Sequence, residues 1–469
     1  MSCCVYWLRQ DLRLQDNPAL TYAVKEGFEI IPIYIYSPHE EEGWGFGGAS
    51  KWWLHHSLLS LGKDLKEMGA RLILRQGDSL QQLLDIVSTT KAESVIWNRR
   101  YEPRIIERDK KIKEKLSHEH LNVKSFNGSL LYEPWEIKNK QGSAYKVYTP
   151  FWNEVSSKDL NRKPFDKPRE VKAPKKWPST LSVNDLNLIS KINWADSFFK
   201  EWQPGEEGAL KNLKSFLKES VEDYKEARDL PAKFGTSKLS PHLHFGEISP
   251  LQIWNATPKK IKNMTFLKQI IWREFAFHLL YHFPKTDREN FRESFNSFPW
   301  RKDAKALRAW QKGLTGYPIV DAGMRQLWKT GWMHNRVRMI VASFLVKHLL
   351  IHWHEGADWF WDTLVDADLP NNTMGWQWTA GCGADAAPYF RVFNPITQGE
   401  KFDAEGGYVR KWIPEIARLS NQYIYRPWEA SEIELKGAGI VLGKDYPKPI
   451  VDHKEARERA LRAYEKVKK

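Results

Sequence analysis

The sequence predicts a doubly wound parallel α/β domain followed by a large all-α domain. Three observations carry this. Short β-rich runs alternate with helical segments as far as residue 131, a Pro- and Lys-rich stretch without periodicity follows, and nearly everything after Trp202 repeats with a helical period. The β-rich runs are residues 4–8, 30–36, 71–74, 94–97 and 123–126, and residues 52–68 exemplify the helical segments between them. Near-continuous apolar runs of this length suit strands buried on both faces, which is the pattern of a parallel sheet. Residues 161–190, with Lys163-Pro164-Phe165-Asp166-Lys167-Pro168, break every period and read as linker. Long amphipathic segments then follow at 210–224, 266–282, 322–350 and 456–468. The expected division is 1–131 for the α/β domain, 132–200 for the connection and 201–469 for the helical domain.

Composition narrows the function classes. A chain of 469 residues with 42% hydrophobic content can bury domain-sized cores. The longest apolar stretch, 339–353, is interrupted by Lys347 and His348, so no membrane span is expected. The opening residues pass from Met1 into strand-like sequence without a basic leader, so a cytoplasmic location is expected. Three cysteines, Cys3, Cys4 and Cys382, cannot supply a disulfide framework or a four-thiolate cluster. A net charge of +14 favours a polyanionic partner, and 23 tryptophans offer rings on which unpaired bases can stack.

Several segments carry candidate chemistry. Gly43, Gly45 and Gly48 match a dinucleotide-binding spacing, but they follow the second strand and sit beside Glu40, Glu41 and Glu42, which would repel a pyrophosphate. A flexible loop is the expectation there. His242 with His244, and His352 with His354, are spaced like metal pairs, yet nothing completes either set and no metal is expected. In Thr236-Ser237-Lys238-Leu239-Ser240-Pro241, Ser240 suits an N-cap and Pro241 the first helical position, so hydroxyls and a lysine converge where a phosphate could bind. On the segment 266–282, Phe266, Gln269, Trp272 and Arg273 share a helical face that makes a poor core and a plausible platform for a planar base. Asn335, Arg338 and Met339 share another face, with Arg336 turned about 100° away. The stretch 366–378, with Asp366, Asp368, Asn371, Asn372, Trp376 and Trp378 around Gly and Pro, reads as an irregular site loop.

These blocks resemble the FAD-binding domain of the photolyase and cryptochrome family. The resemblance lies in Trp272-Arg-Glu-Phe275, Gly316-Tyr-Pro-Ile-Val-Asp321, Gly331-Trp-Met-His-Asn335-Arg336, the run from Asn371-Asn372 to Trp378, and Asn394-Pro-Ile-Thr-Gln-Gly-Glu-Lys-Phe402, in the family's order and spacing. Trp7-Leu-Arg9-Gln-Asp11-Leu-Arg13 extends it to the family's antenna domain. The resemblance implies bound FAD, active when reduced, and a second antenna chromophore, a folate before a deazaflavin. It implies that Tyr224 with Thr236, Ser237, Lys238, Leu239 and Ser240 holds the FAD phosphates. Phe266, Arg273, Asn335, Arg338, Asp366, Ala367, Asp368 and Asn372 would surround the flavin and adenine, with Asn372 facing N5 and Arg338 paired with Asp366. Trp376, Trp353 and Trp300 match the family's electron-carrying tryptophan chain. The lesion side would comprise Gln269, Trp272, Arg273, Asn335, Arg336, Met339 and Trp378, with Arg228 and Arg391 as further basic contacts.

The implied activity is light-driven repair of cyclobutane pyrimidine dimers in DNA by a monomeric lyase. One departure bears on it. Gln269 stands where cyclobutane-dimer enzymes have Glu. Six-four enzymes often share the Gln but place a His where this chain has Asn335, and without that acid six-four repair lacks its proton donor. The alternatives are a six-four photolyase and a cryptochrome-type photoreceptor. Signalling members usually carry a long C-terminal extension, whereas a short charged helix follows Asp445 here, which favours repair.

Overall fold

The computed structural model describes residues 2–41, 43–260 and 263–468, so Glu42 of the glycine-rich segment lies outside the described residues. Five parallel strands, β1 (Cys3–Leu8), β2 (Glu29–Tyr36), β3 (Ile73–Gln76), β4 (Ser94–Asn98) and β5 (Asn122–Phe126), form one sheet in the order β3-β2-β1-β4-β5. Side chains alternate between two cores, as period-2 geometry requires. Cys4, Tyr6 and Leu8 pack with Ile30, Tyr34 and Ile96 against the Gly48–Glu67 helix, whereas Cys3, Val5 and Trp7 pack with Ile31, Ile33 and Val95 against the Ser79–Thr90 and Pro103–His118 helices. The sheet is therefore doubly wound, as expected. β3 begins two residues later than its apolar run, because pairing of Ile33 with Ile73 sets its register and carries it through the polar Arg75 and Gln76.

The first of these cores also contains Phe245, Trp332 and Val365 from the helical domain, so one face of the sheet domain is buried against it. Arg13, 1% exposed, rivets the two. Its guanidinium donates to the carbonyls of Asp16 (2.6 and 3.1 Å), Gly128 (2.6 Å) and Gly246 (2.9 Å). The glycine-rich segment is irregular up to Gly47 and also serves as a second joint. Gly48 N–H donates to Asp362 Oδ1 (2.8 Å), Trp361 Nε1 donates to Gly45 O (2.8 Å), and a Cβ at Gly47 would lie 2.3 Å from the Trp361 carbonyl. Those glycines serve close approach of two backbones.

The stretch 132–200 contains a helix, Tyr148–Ser157, that packs on the Met264–His282 helix. Beyond Trp202 the structure is helical. The amphipathic segment 322–350 is broken at Gly331 (φ +67°), which ends the Pro318–Thr330 helix; His334 then caps the Asn335–Ser343 helix by accepting from Arg336 N–H. Helix Glu206–Glu219 stops before Tyr224, which opens a separate turn, Tyr224–Ala227. Ser240 is the first helical residue and not the cap, a position that Leu239 holds without a side-chain hydrogen bond. The largest correction concerns residues 366–378. They include most of a regular helix, Leu369–Ala380, whose N-cap is Asp368, whose first turn holds Pro370 and which ends at Gly381 in the left-handed region (φ +83°). Among the described residues, no helix is long and apolar enough to cross a membrane.

Candidate functional site

The helices Asn335–Ser343, Trp353–Thr363 and Leu369–Ala380 converge on one cluster of charged and amide side chains. Arg338 donates through Nη2 to both oxygens of the buried Asp366 (3.0 and 2.8 Å) and through Nε to the Met333 carbonyl (2.8 Å). Asp368, besides capping its helix, lies 3.5 Å from His244 Nδ1. Burial alone would raise its carboxyl, but His244, Arg273 and Asn371 hold it below the usual carboxylate range. One turn into that helix, Asn372 donates through Nδ2 to the Ala357 carbonyl (3.2 Å), which fixes its orientation. Ala367 is buried between the two acids.

Two buried ring nitrogens in this region, His244 Nε2 and His334 Nε2, have no partner among the described residues. A buried polar atom without a partner is costly unless another group supplies one. Together with the Arg338–Asp366 pair and the oriented amide of Asn372, they fit a polar heteroaromatic cofactor. Burial pushes the His334 imidazolium down to about 4, so this ring is neutral at pH 7. To one side, Tyr224 and Phe266 are buried edge-to-face (5.3 Å), and Phe216 of the Glu206–Glu219 helix packs on both rings (5.6 and 4.5 Å). Thr236, Ser237 and Lys238 are half-buried, Leu239 is buried and Ser240 is exposed. Lys238 adopts φ +51° and pairs with Glu201 (2.9 Å).

The tryptophans form a graded series. Trp376 and Trp353 are buried and Trp300 is half-buried. Trp376 projects from the Leu369–Ala380 helix onto Gly356, where a Cβ would lie 2.0 Å from its Cη2. Trp353 is one turn before Gly356 on the same helix, and its Nε1 donates to Asn290 Oδ1 (2.9 Å). His352 bridges outward, with its ring 5.7 Å from Trp353 and 5.1 Å from Trp300.

The remaining predicted residues divide. Gln269 and Trp272 lie half-buried on one face of the Met264–His282 helix; the Gln269 amide donates to the Thr265 carbonyl (3.2 Å). The Arg273 guanidinium donates to the Ser129 carbonyl (2.9 Å), approaches Glu274 (3.6 Å) and covers the Phe277 ring. Arg336 pairs with Asp229 (3.0 Å), which also lies 3.9 Å from Arg228, and stacks over Phe402 (4.3 Å). Asn335 and Arg391 are exposed, and Met339 and Trp378 half-buried. Sequence reasoning missed Tyr148, which stacks on Trp272, and also Glu274 and Lys347. Glu274, its carboxyl pushed up to about 7 by burial, accepts from Leu131 and Tyr132 N–H and pins the end of the sheet domain to this helix. Lys347, buried, donates to the Arg391 carbonyl (3.1 Å). The motif Trp272-Arg-Glu-Phe275 contained the signal for Glu274; nothing local marks Tyr148 or Lys347.

Residues 266–466 match the FAD binding domain of DNA photolyase, and residues 4–171 match the DNA photolyase domain. Fold and site thus define a two-domain flavin-binding protein. The chain is 52% identical to a deoxyribodipyrimidine photo-lyase of Agrobacterium fabrum, over 99% of this chain and 98% of that protein. It is 38% identical to Cryptochrome-2 of Arabidopsis thaliana, over 99% of this chain and 79% of that one. Among solved structures, a bacterial class III photolyase from Agrobacterium tumefaciens superposes with a TM-score of 0.96 at 50% identity, covering 100% of this chain and 98% of that one. The chain belongs to the DNA photolyase and cryptochrome family.

Proposed function

We propose that this protein repairs cyclobutane pyrimidine dimers in DNA under blue light, with the damaged pair turned out of the duplex toward Gln269, Trp272, Met339 and Trp378. Reduced FAD, when bound, supplies an excited-state electron that the opened dimer returns. Arg338 with Asp366, Asp368 and Asn372 would hold the isoalloxazine and adenine side, and Tyr224 with residues 236–240 the phosphates. The arginine beside the cofactor favours an anionic, reduced form. Trp376, Trp353 and Trp300 would carry electrons inward from the surface to recharge an oxidised cofactor.

The observation that carries the cyclobutane assignment is the pair of residues at positions 269 and 335. Both side chains are amides, and the adjacent His334 is held neutral by burial. An amide can bind a pyrimidine edge but transfers no proton at neutral pH. With fully reduced protein and one synthetic oligonucleotide per lesion, we expect repair of the cyclobutane dimer and none of the six-four product. Gln269→Glu should keep or raise the quantum yield, and Gln269→Leu should lower it by about two- to tenfold, the value of one neutral hydrogen bond. Efficient six-four repair would overturn the assignment; repair of neither lesion would move the protein to a photoreceptor role.

At the carboxyl ends of β1 and β2, Trp7, Tyr34, Tyr36 and Phe46 line an open cleft, where open α/β sheets bind ligands. Its arginines are engaged: Arg9 with Asp109, Arg100 with Glu41 and Arg108 with Glu40. This leaves aromatic surface as the recognition element, which supports a planar antenna chromophore there, a folate before a deazaflavin.

A further inference from the structure

The ring of Tyr148 lies parallel to the indole of Trp272, with centroids 3.6 Å apart and planes 6° apart. Tyr148 comes from the segment joining the two domains, where it is the first residue of the Tyr148–Ser157 helix, and it is 7% exposed. Three further contacts hold it. Its hydroxyl donates to the Lys268 carbonyl (2.9 Å), one turn before Trp272; its edge meets Phe275; and its backbone N–H donates to Asp385 Oδ2 (3.1 Å). Asp385 sits in the left-handed region (φ +47°), which Asp tolerates better than most residues, and opens the loop that carries Arg391.

A half-buried indole has two faces and more than one rotamer. Here one face is covered completely by a second ring, and that ring is fixed at both ends. We infer that Tyr148 is a positioning residue for lesion recognition: it makes Trp272 a one-sided, pre-oriented platform, and through Asp385 it couples that platform to the Arg391 loop. The inference rests on the reading of Trp272 as the surface that receives the extruded base pair. Stacking against a fixed ring removes the rotamer freedom that binding would otherwise have to quench, so the benefit falls on the extruded pair and not on the duplex backbone.

The test uses flavin-loaded protein and two duplex oligonucleotides, one with a single cyclobutane thymine dimer and its undamaged twin, with dissociation constants measured in the dark. Tyr148→Leu should weaken binding to the damaged duplex by roughly two- to tenfold, the range of one aromatic pair, and leave the undamaged duplex unchanged. Tyr148→Phe, which keeps the ring, should recover most of the loss. In a Trp272→Ala background, Tyr148→Leu should add nothing, since Tyr148 acts through the indole. An additive double variant, or equal weakening on both duplexes, overturns the positioning role. Asp385→Ala releases the strap from its other end without opening a cavity; a two- to threefold loss confined to damaged DNA is expected, and no loss overturns the coupling to the loop, whether or not the Leu variant folds. If Trp272→Ala itself leaves discrimination intact, the platform reading fails instead, and the two failures are told apart.

Discussion

Replacing Gly356 by alanine tests the seat of Trp376. The added methyl would lie 2.0 Å from Cη2, 2.5 Å from Cζ3 and 2.6 Å from Cζ2 of the indole. Ordinary carbon contacts begin near 3.5 Å, so the ring or the helix must move by about 1.5 Å. Neither is free: Trp376 is 2% exposed and packs edge-on to Phe360 (5.0 Å) and Trp310 (6.2 Å), and the helix bearing Gly356 also bears Trp353 and the carbonyl that holds Asn372. Overpacking of this kind costs about 1–3 kcal/mol. For a domain of this size that corresponds to a fall of roughly 2–12 °C in midpoint. Trp376→Phe removes the three clashing atoms, so the double variant should recover most of the midpoint lost by Gly356→Ala alone. Function should separate in the same series. Trp376→Phe should block photoreduction of the oxidised flavin while sparing repair by chemically reduced enzyme, whereas Gly356→Ala should slow photoreduction by displacing the ring. Additive midpoints in the double variant, or unchanged photoreduction in Trp376→Phe, would refute the reasoning.

Arg336 pairs with Asp229 and is the candidate phosphate contact. Arg336→Ala should weaken damaged and undamaged DNA alike and reduce the salt slope by about one, and Asp229→Asn, which frees Arg336 and Arg228, should tighten both; lesion-selective effects would assign Arg336 elsewhere. Acid should destabilise the fold through its buried imidazoles. Burial depresses His278 and His334 to about 4 and His348 to about 3, so these rings stay neutral in the native state while the unfolded chain protonates below about 6.5. Their contribution is complete above pH 6.5 and is lost as pH falls toward 4, at up to about 1.4 kcal/mol per pH unit per ring. Thermal midpoints that stay level between pH 7 and 5 would contradict this.

Most of the architecture was legible because its signals are local. The near-continuous apolar runs of Cys3–Leu8 and Glu29–Tyr36 and the apolar periods of the later helices are signals carried by consecutive residues. The errors have equally definite causes. β3 takes its register from β2, and its polar half has no strand signature. Residues 366–378 read as irregular because Pro370, Asn371, Asn372 and Gly375 interrupt them, yet Asp368 and Pro370 stand at the cap and in the first turn, where those residues start helices. Spacing puts Arg273 one turn from Gln269, but the Ser129 carbonyl, remote in sequence, decides where its guanidinium ends.

The Tyr148–Trp272 stack shows where reading the sequence reaches its limit. The ring that covers the indole lies in a different segment, and nothing in Lys146-Val147-Tyr148-Thr149-Pro150 distinguishes Tyr148 from an ordinary core aromatic. The same holds for Gly356, which in one dimension is a mildly unfavourable helix residue and in three dimensions is the space that Trp376 occupies. In both cases the chemistry-bearing tryptophan could be picked out by motif, while the residue that sets its position could not. A motif records which groups react or bind; the accuracy with which they are held depends on neighbours chosen by close packing, and those neighbours can come from any part of the chain. Substitutions at Tyr148 and Gly356 should therefore alter recognition and electron flow without touching any residue of the family's motifs.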